Sequence, residues 1–300
     1  MIGPFVDYEV NPILLPGQGF DSKQVFNPTV IVEGNTFYML YRGEAGDGVS
    51  GRIGLAISSD GVNFTRHPDP VIVPEHEYEE LGCEDPRITK LSDIYYLTYQ
   101  GSVDRYEVCT ICLAISKDLY HWGKHGPALK IEPGRWDSGQ IKAGAICPEK
   151  INGRYVMYIT GEEKTWEPAI GIAYSDDLIY WQEWEHNPIL LPREGFFDSN
   201  GIEVGATPVI TEEGILLIYN GWSQDNLYKP GAVLFSKEDP SKVLERSEEP
   251  ILMPLKDWGK ELGGVNQLVA EGLVKHKGYW WLYYGAADIA ICLARCKIKE

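Results

Sequence analysis

Three hundred residues, 44% of them hydrophobic and 24% charged, suffice to bury a sizeable core and place the chain among soluble globular proteins. A formal net charge of -17 disfavours nucleic-acid and anionic-membrane partners, since both need a basic footprint; a small neutral oligosaccharide suits the charge better, and nine Trp and eighteen Tyr offer faces for sugar rings as well as filling for β cores. The opening residues MIGPFVDYEVNP lack the basic start and apolar run of a secretory signal, and no stretch reaches membrane-spanning length, so a cytoplasmic protein with six free, mostly buried cysteines is expected. The pair Cys109-x-x-Cys112 lies inside the apolar run VCTICLAIS, where strand alternation sends neighbours to opposite faces; no second pair follows, so no metal site and no cofactor are expected.

In chain order the sequence repeats itself. The segment NPILLP at 11–16 returns intact at 187–192, with weaker copies DPVIVP (69–74), GPALKIEP (126–133) and EPILMP (249–254). The repeats start near Pro12, Pro70, Pro127, Pro188 and Pro250, at steps of 57 to 62 residues, a period that decides architecture before any local propensity does. After each anchor comes the same order of strands. The first strands are FNPTVI, EDPRIT, ICPEKI, ATPVIT and AEGLVK, and the second strands FYMLYRG, YYLTYQG, YVMYITG, LLIYNG and YWWLYYG all end at glycine. Third strands follow in IGLAISSDG, TICLAISKD, IGIAYSDD, AVLFSKED and IAICLARC, and Phe64, Trp122 and Trp181 open a short fourth strand in the first three units. Short β-branched and aromatic strands without helical periodicity predict an all-β fold. One such unit cannot bury both faces of its sheet, and radial closure of five gives a five-bladed β-propeller, read as one domain over 1–300 whose first and last strands share a blade. Because Ser58/Asp60, Ser116/Asp118 and Ser175/Asp177 recur at equivalent places, they are read as turn chemistry.

What every unit shares builds the fold, so polar residues peculiar to one unit near the axis are the candidates for chemistry. The innermost strands read VFNPTV, CEDPRI, IKAGAICPEK, GIEVGATPVI and GVNQLVAEG, and carry Asn27, Glu84 with Asp85, Lys142, Glu203, and Asn266 with Glu271. The ends of the second strands add Arg42 with Glu44, Thr160 to Glu163, Asn220 with Trp222, and Asp288. Carboxylates at separated points of a rigid ring suit glycosidic cleavage, where one acid protonates the leaving oxygen and another handles water; Arg42 reads as a clamp on hydroxyls or a carboxylate. No nucleophile elbow, phosphate-cradling glycine loop, zincin helix or dinucleotide fingerprint occurs, and a propeller that only binds sugar stays open.

FNPTV, GCEDPRI (82–88), CPEKINGRYVMY (147–158), YSDDLIYW (174–181) and YYGAAD (283–288) together resemble glycoside hydrolase family 130, over essentially the whole chain and in family order. The resemblance implies a five-bladed propeller acting on β-mannosides with inversion, with Asp85 as the general acid relaying its proton through a mannose hydroxyl, and sugar-binding roles for Asn27, Arg42, Lys142 and Asp288. The family's phosphorylases hold inorganic phosphate with basic residues; its hydrolases use glutamates to activate water. Two departures from the phosphorylase pattern, Thr110 where an Arg is usual and Met157-Tyr158-Ile159-Thr160-Gly161-Glu162 where a His-Arg pair usually follows Met-Leu, remove positive charge, and Glu162 with Glu203 resembles the hydrolases' pair. The expectation is therefore an exo-acting, inverting hydrolase of short β-1,2-mannosides, with Asp85 as acid and Glu162 or Glu203 activating water. The alternatives are a phosphorylase with phosphate as co-substrate, held by Lys142 and Arg87, and a non-catalytic sugar-binding propeller. Loops 43–51 and 222–230 leave room for completion by a second copy of the chain.

Overall fold

The computed structural model describes residues 1–104, 108–163, 168–253, 256–265 and 267–298. Five antiparallel sheets follow one another around an axis as a five-bladed β-propeller. The first blade runs outward through Gln24–Glu33, Thr36–Glu44, Arg52–Ser58 and Thr65–Arg66, and the second through Gly82–Leu91, Ile94–Asp104, Val108–Ser116 and Gly123–Pro127. Gln140–Ile146, Tyr155–Glu162, Ala169–Ser175 and Gln182–Glu183 form the third, and Gly201–Val204 with Val209–Ile210, Ile215–Trp222, Lys229–Phe235 and Val243–Arg246 the fourth. The fifth takes Leu268–His276, Tyr279–Ala286 and Ala290–Lys297 from the chain's end and its outer strand, Val6–Asp7, from the chain's start. That last pairing aligns Val6 with Arg295 and Asp7 with Ala294, and the Tyr284 hydroxyl donates to Asp7 Oδ1 at 2.6 Å.

The repeated proline segments are the crossovers between blades. Ile13 and Leu14 donate to the Ile291 carbonyl, Val71 and Ile72 to Ile53, Ala128 to Ile111, and Ile189 and Leu190 to Ile170, so each crossover hydrogen-bonds to the third strand of the blade it leaves. In the third blade the inner strand ends at Ile146, before the Cys147-Pro148 step, rather than running through ICPEKI; proline has no N–H to give to the ladder. Five apolar clusters fill the five gaps between neighbouring blades, such as Leu40, Ile53 and Leu55 of the first against Ile88 and Leu97 of the second. The serine-aspartate pairs cap turns as expected: Asp60 Oδ1 accepts from the Val62 and Asn63 amides while Ser58 Oγ accepts from Asp60 and Gly61. All six cysteines are free and buried.

Beneath the second strands lies a second repeated device. In the first blade the buried Asp21 accepts from the Tyr41 hydroxyl and from Arg66, both at 2.9 Å; in the fourth, Asp198 accepts from Tyr219 at 2.7 Å and Arg246 at 2.6 Å. The second blade uses Glu79, Tyr99 and Lys124 in the same way. Only the third differs among these four: Asp137 is equally buried, but Ile159 replaces the tyrosine and Glu183 replaces the base.

Candidate active site

Inner strands of antiparallel sheets would normally hide alternate side chains against the neighbouring blade. Here a bulge interrupts each of four inner strands at the same height, between Phe26 and Thr29, Glu84 and Arg87, Lys142 and Ala145, and Ala270 and Gly272. The bulged residues Asn27 and Asp85 take left-handed backbone conformations, φ 49° and 50°, which asparagine and aspartate tolerate better than other residues with a side chain. The sequence FNP and EDP therefore codes a kink that re-aims one polar side chain toward the axis. In the fourth blade the inner strand breaks between Val204 and Val209; a Cβ on Gly205 would sit 2.5 Å from the Ala270 carbonyl oxygen, so only glycine lets the fourth and fifth blades approach there.

Around this funnel the polar groups interlock. Arg42 Nη1 lies 2.9 Å from Glu84 Oε2 and 3.4 Å from Asp85 Oδ1, its Nε and Nη2 donate to the Ser50 carbonyl, and its guanidinium stacks 4.5 Å over the Phe26 ring. Burial works against the Arg42 charge, but Glu84, Asp85, Glu44 and Asp288 outweigh it and hold the guanidinium protonated. Glu84 in turn accepts from the Ser50 hydroxyl and, at 3.4 Å, from Gln100. Across the funnel Lys142 Nζ pairs with Glu203 Oε2 at 3.1 Å. Burial opposes its charge, and Glu203 foremost, then Tyr228, Asp85 and Glu162, raise its pKa regardless. Glu162 Oε2 accepts from Gln140. Asp288, at φ 54° in the turn after Tyr279–Ala286, has its carboxyl raised to about 6, mainly by burial; Arg42 pulls it down while Asp85, Glu203 and Glu44 push it up.

The structure thus brings Asn27, Arg42, Glu84, Asp85, Lys142, Glu162, Glu203 and Asp288 to one axial funnel, while Asn266 lies outside the described residues. Arg87 is a correction. It is 1% exposed and four of its five N–H groups are taken by the Gly205, Pro86 and Val204 carbonyls and by Glu271 Oε1 at 2.7 Å, so it is buried away from an incoming phosphate; it braces three blades from inside. The side chains at Thr160 and Asn220 are likewise turned to blade joints, accepting from the Val204 and Ala270 amides. Thr110 donates to the Leu129 carbonyl. Tyr228 was not singled out in the sequence: its ring stacks on Trp222 at 4.3 Å, and its hydroxyl, raised above the ordinary phenol range chiefly by burial and then by Glu203, borders the Lys142 side of the funnel. Its only sequence signal was its place in the 222–230 loop.

A funnel floor of carboxylates, two largely buried cationic groups and an aromatic wall can bind hydroxyl-rich rings and donate a proton to a leaving oxygen. A family model described as beta-1,4-mannooligosaccharide phosphorylase, of glycoside hydrolase family 130, matches residues 15–300. A 1,2-beta-oligomannan phosphorylase of Thermoanaerobacter sp. (strain X514) is 38% identical over 299 residues, covering 96% of each chain, and a beta-1,2-mannobiose phosphorylase of the same organism is 38% identical over 94% of each. Among solved structures, one reported with the statement that this family of mannoside phosphorylases contains glycoside hydrolases targeting β-1,2 mannosidic linkages in Candida mannan superposes with a TM-score of 0.90 at 31% identity, covering 100% of this chain and 95% of the other. The beta-1,2-mannobiose phosphorylase of Listeria innocua, in complex with beta-1,2-mannobiose, superposes at 0.86 with 26% identity, covering 98% and 97%. End-to-end identity of this order together with the matching family model shows that the chain belongs to glycoside hydrolase family 130, a family of glycoside-processing enzymes.

Proposed function

We propose that the chain cleaves the terminal β-1,2-linked mannosyl unit of short mannosides in a single displacement with inversion, and that inorganic phosphate is the attacking group. The observation that supports this acceptor is the 38% identity, over almost the full length of both chains, to two phosphorylases named for β-1,2-linked substrates. It favours the phosphorolytic alternative over the hydrolysis expected from Thr110 and Glu162. Asp85 supplies the proton that leaves with the aglycone oxygen as the C1–O bond breaks; a phosphate oxygen forms the new bond to C1 from the opposite face, giving mannose 1-phosphate. Lys142 is the ammonium that holds the anion. Its partner Glu203 accepts a hydrogen bond from the phosphate's own proton, so a monoanion fits this pair where a dianion would be repelled.

One observation favours hydrolysis as a second reading. Glu203 and Glu162 both bear on Lys142, and Arg87 is spent inside the wall, so the cation count around an attacking anion is low and either glutamate is placed to take a proton from water. The test is product analysis with β-1,2-mannobiose in phosphate-free buffer and in millimolar phosphate. Mannose 1-phosphate that forms only when phosphate is present is the expected result. Equal release of free mannose in both buffers would replace phosphorolysis by hydrolysis, and no cleavage in either would leave a sugar-binding propeller.

A further inference from the structure

We infer that Glu271 is a positioning residue for sugar recognition: its carboxylate fixes the side-chain amide of Asn27 so that Oδ1, an acceptor, faces a hydroxyl of the bound mannosyl unit. The inference rests on the mannoside-cleaving reading. Glu271 sits at the bulge of the fifth blade's inner strand, 1% exposed, where its Oε1 accepts from Asn27 Nδ2 at 2.9 Å and from Arg87 Nη2 at 2.7 Å. Arg87 cannot turn away, because the Pro86, Val204 and Gly205 carbonyls accept from its Nη1, Nη2 and Nε. Glu271 Oε1 is thereby pinned as an acceptor, and only the nitrogen end of Asn27 can face it. The oxygen end is forced the other way. Asn27 Oδ1 is buried and has no protein partner, a state that is unfavourable until a donor arrives, and a sugar hydroxyl is such a donor.

Geometry on both sides of Asn27 supports this aim. Its bulge is the first-blade counterpart of the one that presents Asp85 in the second, with the same left-handed backbone, so both side chains leave the wall at the same height of the funnel. Asn27 to Glu271 to Arg87 to Gly205 is a chain of hydrogen bonds through the first, fifth, second and fourth blades. The axis floor therefore transmits one polarity, set by Arg87, to a group that meets substrate.

Swapping that polarity tests the inference. In Glu271→Gln the amide oxygen can take the place of Oε1 and accept from both Arg87 Nη2 and Asn27 Nδ2, with the NH2 where the unpartnered Oε2 stood, so KM for β-1,2-mannobiose should stay within about threefold of the parent with kcat within about twofold. Asn27→Asp, which sets two carboxylates together and removes the side-chain amide that donates to Oε1, should raise KM about tenfold. The double variant Asn27→Asp/Glu271→Gln restores a donor facing an acceptor and again leaves an oxygen toward the sugar, so its KM should return to within about threefold of the parent. A KM unchanged in folded Asn27→Asp overturns the inference. So does a folded double variant whose KM stays as high as that of Asn27→Asp, which remains decisive even if Glu271→Gln alone fails to fold. A parent protein that cleaves nothing with or without phosphate instead removes the mannoside reading beneath it.

Discussion

Asp85→Asn is expected to lower kcat on β-1,2-mannobiose by about 10²–10⁴-fold, the usual contribution of a general acid, and to cost far less on an aryl β-mannoside whose leaving group departs without a proton. The substitution suits such a test because the site tolerates it structurally. Asparagine accepts the left-handed backbone at φ 50° as aspartate does, and it occupies the same position in the neighbouring bulge at Asn27. Arg42 exchanges a carboxylate at 3.4 Å for an amide oxygen that still accepts, and keeps Glu84 at 2.9 Å and the Ser50 carbonyl. The thermal midpoint should therefore hardly move while turnover collapses. A loss of equal size for both leaving groups, or of less than about tenfold for mannobiose, would remove Asp85 from the acid's role.

The second large effect concerns stability, and lies in the third blade. Asp137 is fully buried with neither carboxylate oxygen hydrogen-bonded in good geometry, and beside it stands Glu183 where the other blades place Arg66, Lys124 and Arg246. Arg135 reaches Glu183 at 3.1 Å but stays 3.9 Å from Asp137, and the Trp136 indole donates to Glu183 at 3.1 Å. Burial first, then the neighbouring Glu183 carboxylate, push the Asp137 carboxyl up to about 7. The native state thus holds a proton that the unfolded chain has released above about pH 4, so stability falls as pH rises from about 4 to about 7, by an amount on the order of a few kcal/mol. Glu183→Arg rebuilds the clamp of the other blades. Its thermal midpoint should exceed the parent's by several degrees at pH 7.5 and by much less at pH 5. An advantage that is constant across this range, or absent, would show that the two carboxyls do not share a proton.

The five-bladed ring was legible because NPILLP and its copies mark each crossover, and the crossover is the one segment every blade must build alike. The axial residues were legible as exceptions to that likeness: Asp85 and Asn27 stand before the same proline in different blades, and only the polar group changes. Arg87 was misjudged for the same reason. It lies two residues past Asp85 in one motif, but the bulge that turns Asp85 into the funnel returns the strand to its ladder by Arg87, which therefore points into the wall. Glu271 was in the axial segment, yet nothing in one sequence shows that its carboxylate meets Asn27, 244 residues away. The mismatch at Asp137 was equally hidden, since GRWDS resembles GFFDS and the missing base stands on an outer strand of two residues.

The fifth blade is sewn from both ends of the described chain, Asp7 meeting Tyr284 across 277 residues. During synthesis the first four blades can form in order, each with contacts to the blade just made, but the ring stays an open arc until Ala290–Lys297 emerges to capture Val6–Asp7. Glu271 and Asp288 come with that last blade, so an unfinished chain has neither the group that orients Asn27 nor the carboxylate that completes the funnel. Closing so long a loop is entropically costly, yet the cost grows only logarithmically with length, and a single two-residue strand backed by an apolar gap can hold the ring shut. The same latch ties the funnel to the last blade: an arc of the first four lacks Glu271 and Asp288, and leaves the apolar faces that the fifth blade covers without a partner.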